Sequence, residues 1–209
     1  MLINLSIKDF LEKTAGSDPV PGGGSVSALC GSLSAALSKM VTNLTIGRKK
    51  YVDKEERMKE LSEVFNSYLE KLTQAIDADS DAYNEVFGAF KLPKETEEEK
   101  EFRNNKIQEA TKKAAEIPFS VAQNAYNMMD FIEETAKNGN QNAVTDACVA
   151  MMCARTAVLG ALLNVRINLS SITDSGYVEQ LALECNALEE KSITKEKELL
   201  DWVKTILNT

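Results

Sequence analysis

Residues 61–83, LSEVFNSYLEKLTQAIDADSDAY, decide the fold. Leu61, Val64, Phe65, Tyr68, Leu72 and Ile76 recur at steps of three and four, which places them on one stripe of an α-helix. Continued through Tyr83, Val86 and Phe90, the stripe predicts one long amphipathic helix. Asp53 would be its N-cap, with Glu56 three residues on, and Phe90 its approximate end. Stepping from Ile76 to Tyr83 lands on Asp79. Of three closely spaced aspartates, that one is aimed inward, whereas Asp77 and Asp81 fall off the stripe toward solvent. A buried carboxylate is costly unless it is paired, hydrogen-bonded or used, and desolvation raises its pKa toward a range useful in catalysis. Asp79 is therefore a candidate catalytic residue or one half of an ion pair with a Lys or Arg of another helix.

The same reading extends outward in both directions. Ser6 caps a short helix to about Thr14, and a loop from Ala15 to Gly24 follows. Residues 25–46 form a helix rich in Ala, Ser and Leu, with Gly47 at its C-terminal end. Leu92-Pro93 breaks the chain after Phe90, and Thr96 with Glu99 starts a helix to about Lys137, with a kink expected at Pro118. Asn138-Gly139-Asn140 ends it. Residues 142–169 are the most apolar helix, and a polar one begins at Ser175. Period-2 alternation is sustained nowhere. Residues 1–209 are read as one all-α domain, a single bundle of long antiparallel helices, and a chain of this length buries roughly 70% of its unfolded surface.

Composition excludes whole classes of chemistry. The formal net charge is −8, which argues against nucleic-acid and anionic-membrane partners. Lys39 and Asn43 in one apolar helix, and Asp146, Arg155 and Arg166 in the other, are too costly at mid-bilayer, so both are expected to be central helices of a soluble bundle. No basic-then-apolar signal opens the sequence. Cys30, Cys148, Cys153 and Cys185 have neither metal nor redox spacing and read as reduced core thiols, so a cytoplasmic protein is expected. There is no histidine. That removes Ser-His and Cys-His catalysis and most zinc sites, so no metal or redox cofactor is expected.

Three further segments could carry chemistry. Pro19-Val-Pro21-Gly22-Gly23-Gly24-Ser25-Val26 sets a bare backbone loop before a helix, with Ser25 as expected N-cap. Adjacent glycines are costly to order and persist where the backbone approaches something closely or its N–H groups face a ligand. A tight turn between packed helices would also explain them. Without the Lys-Ser/Thr ending or a preceding strand, this is not a phosphate loop. Arg48-Lys49-Lys50-Tyr51 is the densest positive cluster. It either complements a helix C-terminus or clamps an anionic substrate tail, with Tyr51 as a stacking surface. On the helix from 142 to 169, Asp146, Ala150, Cys153, Ala157, Gly160, Asn164 and Asn168 share one narrow face. That face can be a groove floor, a close helix crossing or a subunit contact, and an Asn there can hydrogen-bond an amide or pterin edge.

Taken together and in order, these segments resemble a known family. The Pro-Gly-Gly-Gly-Ser loop, Leu44-Thr-Ile-Gly-Arg-Lys-Lys-Tyr51, Asp77-Ala-Asp-Ser-Asp-Ala-Tyr83, Leu92-Pro-Lys94, Gly139-Asn140, Thr145-Asp146 and Asn164-Val-Arg-Ile-Asn-Leu169 are similar to the cyclodeaminase/cyclohydrolase family. The resemblance spans nearly the whole chain, to about Thr173. It implies an all-α folate enzyme that assembles as a homodimer, takes a tetrahydrofolate derivative with or without a polyglutamate tail as substrate, and uses the second Asp of Asp-Ala-Asp, Asp79, as catalytic residue. By this likeness Pro21, Gly22, Gly23, Gly24 and Ser25 would meet a substrate carbonyl or carboxylate. Arg48, Lys49, Lys50 and Tyr51 would hold the glutamate tail. Tyr83, Asp146 and Asn164 would bind the pterin or position water. The implied reaction is hydrolysis of 5,10-methenyltetrahydrofolate, or alternatively loss of ammonia from 5-formiminotetrahydrofolate; a further alternative is a folate-binding or scaffold bundle without catalysis. The formiminotransferase half is not in this sequence, so formimino transfer is not expected of it.

Overall fold

The computed structural model describes residues 1–207. Ser6 caps α1 (Ile7–Thr14), its hydroxyl accepting the Asp9 N–H at 3.1 Å. The remaining helices are α2 (Gly23–Thr45), α3 (Glu55–Phe90), α4 (Glu97–Asn138), α5 (Val144–Leu169) and α6 (Ser175–Leu207). Thr96 and Glu99 form the expected reciprocal cap on α4, and Gly47 takes φ +75° just beyond α2, a conformation open to glycine at little cost.

Two expected helix starts move. α2 begins at Gly23 with Gly22 as N-cap, so Ser25 lies in the first turn rather than at the cap. Its N–H finds an acceptor on α3, in the Asp79 carboxylate, which makes a local side-chain cap unnecessary. Asp53 is not the cap of α3 either. A short 3₁₀ segment, Lys49–Lys54, runs directly into the helix, and the Glu55 N–H bonds to Val52 O.

The helices pack as an antiparallel bundle. Ser25 meets Ser80 and Asn43 meets Ser62 across α2 and α3. Arg57–Glu134 and Lys113–Glu85 link α3 to α4, and Arg155–Glu196 and Arg166–Glu189 link α5 to α6. The core is filled by Met58, Leu61, Phe65 and Leu72 of α3, Met128, Met129 and Ile132 of α4, Met151 and Leu162 of α5 and Leu199 of α6. Small residues let α2 approach both α3 and α5 closely: a Cβ on Gly31 of α2 would stand 3.1 Å from a methyl of Leu72 on α3, and one on Gly160 of α5 would overlap the Ser27 hydroxyl. Gln141–Leu169 is long and apolar enough to cross a membrane by length and composition, and half of its most apolar window is buried against the bundle.

The apolar stripe of α3 holds as far as Ile76 and then parts from expectation. Beyond it Ser80, Ala82 and Ala89 are buried, whereas Tyr83 and Phe90 are exposed. α2 starts opposite Asp79, so the rest of α3 has lost that neighbour, and its large side chains face an opening instead of a core. Asp77 departs too. It is half-buried and accepts the Leu2 N–H, because the N-terminal turn Leu2–Asn4 folds back on α3 and buries Leu2.

Phe65, fully buried between helices, tests the core. Phe65→Ala should cost about 3–5 kcal/mol in urea-induced unfolding followed by far-ultraviolet circular dichroism, with helical content unchanged before the transition.

Candidate active site

Asp79 of α3 lies directly against the first turn of α2. A Cβ at Gly24 would overlap its carboxylate, so the glycine is what allows the two backbones and the carboxyl group to share this space. The Ser25 hydroxyl is 3.0 Å from Asp79 Oδ2, 3.0 Å from Ile76 O and 3.1 Å from Ser80 Oγ, and the Ser25 N–H also bonds to the carboxylate. Burial pushes the Asp79 pKa above its ordinary 3.8; the Ser25 hydroxyl and N–H pull it partly back. Among the described residues no Lys or Arg pairs with Asp79. The ion-pair alternative is therefore not the structure's solution. What holds the group is a helix N-terminus and a serine.

In front of this group is a cavity of about 360 Å³, lined by Pro19, Val20 and Gly22–Gly24 of the loop and helix start, Asp79, Tyr83 and Val86 of α3, Ala114 of α4, and Asn164, Ile167 and Asn168 of α5. Tyr83 stacks on Phe87 at its mouth, with ring centroids 6.5 Å apart and planes 10° from parallel. A Cβ on Gly23 would stand 3.2 Å from Asn164 Nδ2, so the second glycine gives α5's amide its approach. The expected loop, Asp79, Tyr83 and Asn164 thus converge. Pro21 is buried behind the loop after a cis peptide, and does not line the cavity.

The other expected residues are elsewhere. Arg48, Lys49, Lys50 and Tyr51 follow the C-terminus of α2, a helix whose 23 residues span about 33 Å. Tyr51 Oη accepts the Gln141 N–H at 3.0 Å, and Lys50 Nζ lies 5.4 Å from the Tyr51 ring centroid. Asp146 sits at the same end, in the first turn of α5. Because α2 and α5 are antiparallel, both clusters belong to one end of the bundle and the Asp79 cavity to the other. Within one chain they do not meet.

Asn168, Ile167, Val86, Ala114, Pro19 and Val20 were not expected as site residues. Asn168 was within reach of the sequence, one turn after Asn164 on the same face. The apolar wall was not, since nothing in Val86 or Ala114 separates a cavity wall from core. A larger cleft of about 650 Å³ lies farther along α3 and α4, with Lys106, Lys112 and Lys113 on its walls. Those lysines are paired with Glu109, Asp174 and Glu85, which leaves little net charge for an anion.

Known proteins resemble this chain along most of its length. The sequence pattern of the family described as formiminotransferase-cyclodeaminase matches residues 6–187. A methenyltetrahydrofolate cyclohydrolase of Methylorubrum extorquens is 38% identical, over 98% of this chain and 99% of its own length. The formimidoyltransferase-cyclodeaminase of Rattus norvegicus is 33% identical over 93% of this chain, which spans 36% of that longer protein. The crystal structure of a formiminotetrahydrofolate cyclodeaminase from Thermotoga maritima superposes with a TM-score of 0.88 at 27% identity, over 99% of this chain and all of that one. With the glycine loop, the inward aspartate and the antiparallel bundle all accounted for, the chain belongs to the formiminotransferase-cyclodeaminase family.

Proposed function

We propose that this chain is a folate one-carbon enzyme that hydrolyses 5,10-methenyltetrahydrofolate to 10-formyltetrahydrofolate, with Asp79 as catalytic residue. The observation that carries the reading is a half-buried carboxylate with no Lys or Arg partner among the described residues, lining the cavity, together with end-to-end similarity to a cyclohydrolase. Water attacks the cationic carbon that bridges N5 and N10, and Asp79 takes one of its protons. The tetrahedral adduct then collapses with cleavage of the C–N5 bond; one water proton ends on N5 and the other leaves to solvent. A desolvated carboxylate suits this reaction twice: it is a stronger base than an exposed one, and its charge stabilises the cation beside it. The step as written uses water, the Asp79 carboxylate and the folate itself.

The Thermotoga protein favours a second reading. In it N10 attacks the formimino carbon of 5-formiminotetrahydrofolate, the bond from that carbon to the exocyclic nitrogen breaks, and that nitrogen leaves as ammonia with the proton lost by N10 and one delivered by the Asp79 carboxyl.

The active form in this proposal is a homodimer. Leu33, Met40 and Leu44 of α2 and Val149, Met152 and Leu163 of α5 are exposed on one continuous side, where the stripes adjoin at Cys30 and Cys153. A second copy docked antiparallel on this face would bring its own basic end over the Asp79 cavity. That would reunite the Arg48–Tyr51 tail clamp, and a polyglutamate tail if present, with the reacting carbon.

Following the methenyl chromophore separates the two reactions. Protein-accelerated loss from methenyltetrahydrofolate, with little formation from the formimino compound, is expected; rapid formation from the latter would make the chain a cyclodeaminase, and no change in either would remove the catalytic reading. Asp79→Asn should lower kcat about 10²–10⁴-fold while the protein stays folded. The folded pKa of Asp79 is raised, so its contribution to stability is full below 3.8 and is lost as pH rises through the folded value. At pH 7, as a rough bench condition, Asp79→Asn should therefore melt no lower than the parent. The acid limb of kcat/KM in the parent should fall above the ordinary carboxylate range. Leu163→Asp should yield monomers in sedimentation velocity, with activity lost and helicity kept.

A further inference from the structure

Asn164 and Asn168 both border the cavity, but their amides are held differently. Asn164 Nδ2 donates to Gly160 O at 2.8 Å, within its own helix. Asn168 Nδ2 donates to Asn164 O at 2.8 Å and, across the helix interface, to Ala114 O at 3.0 Å. The second acceptor exists because of a proline. In an α-helix the N–H of residue 118 would bond to the carbonyl of residue 114, and Pro118, inside α4, has no N–H. Both partners of Nδ2 are carbonyls, which only accept, so the orientation of the amide is fixed: its NH₂ faces them and its Oδ1 is left without a partner among the described residues.

The place of that oxygen matters. Gly24 touches Asp79, Gly23 touches Asn164, and Asn168 lies one turn, about 6 Å, farther along α5. A fused-ring heterocycle with its reacting carbon at Asp79 extends toward Asn168. No Lys or Arg lines this cavity, so a neutral, oriented acceptor is what its far wall offers. Resting on the folate reading above, we propose that Asn168 Oδ1 accepts from the amino group on the substrate's aminopyrimidinone edge, and that Pro118 is the positioning residue that frees Ala114 O to hold it. Asn168 selects a donor-bearing ring; Pro118 acts only through Asn168.

The test compares methenyltetrahydrofolate with its 2-desamino-2-methyl analogue, which lacks the donor. The parent protein should prefer the amino compound in kcat/KM by about 10-fold or more, since the bound analogue would cover this acceptor and leave it unpaired. Asn168→Ala should bring that preference to within about 2-fold, through a raised KM and with kcat held within a few-fold. Pro118→Ala, which restores a competing N–H for Ala114 O, should fall between. A preference that persists in both variants would overturn the inference and leave Asn168 a cross-link between α4 and α5, even if both melt lower. A parent protein that turns over neither compound would remove the folate reading, and this inference with it; one that turns over both equally would remove this inference alone.

Discussion

The rest of the site depends on one contact: the carboxylate of Asp79 against the bare first turn of α2. The helix start contributes an N–H and the positive end of its dipole, and the carboxylate contributes the acceptor that Gly22, having no side chain, cannot supply. Each solves the other's problem. The contact needs glycine at position 24, where any Cβ would overlap the carboxyl group, and it sets where α2 begins. That start in turn leaves the last turns of α3 without a neighbour, which opens the cavity.

Much of this was legible in the sequence, for identifiable reasons. The 3.6-residue period of α3 as far as Ile76 and the reciprocal cap of Thr96 and Glu99 are local signals, and both held. The inward placement of Asp79 followed from phase alone. What failed was what depends on the neighbour. Ser25 is a good cap residue by type, yet its hydroxyl bonds to a carboxylate 54 positions away instead of capping its own helix. Tyr83 and Phe90 continue the stripe in sequence, but the helix they would have packed on has already ended. The basic cluster and Asp146 were assigned to the site by chemistry and likeness. Helix length separates them from it by about 33 Å in a single chain, a distance that no residue type reveals.

The two walls of the cavity divide the work by chemistry. On the α3 side is a charge, kept basic by desolvation and restrained by Ser25. On the α5 side are amides, neutral and fixed by main-chain carbonyls. Neither wall carries a cation, which suits a substrate whose reacting carbon is itself positive.

On the proposed mechanism Asp79 would both cap a helix and move protons, which would tie two equilibria together. Once Asp79 is protonated, its attraction to the amino end of α2 drops, since only the charged form gains fully from those N–H groups. The turn at Gly22–Ser25 is then held less firmly at the moment a proton has been captured, and more firmly once it has left. Proton occupancy and the stiffness of the loop at the cavity's edge would then be linked, and each catalytic cycle of the proposed mechanism would carry its own brief loosening and resetting of the entrance.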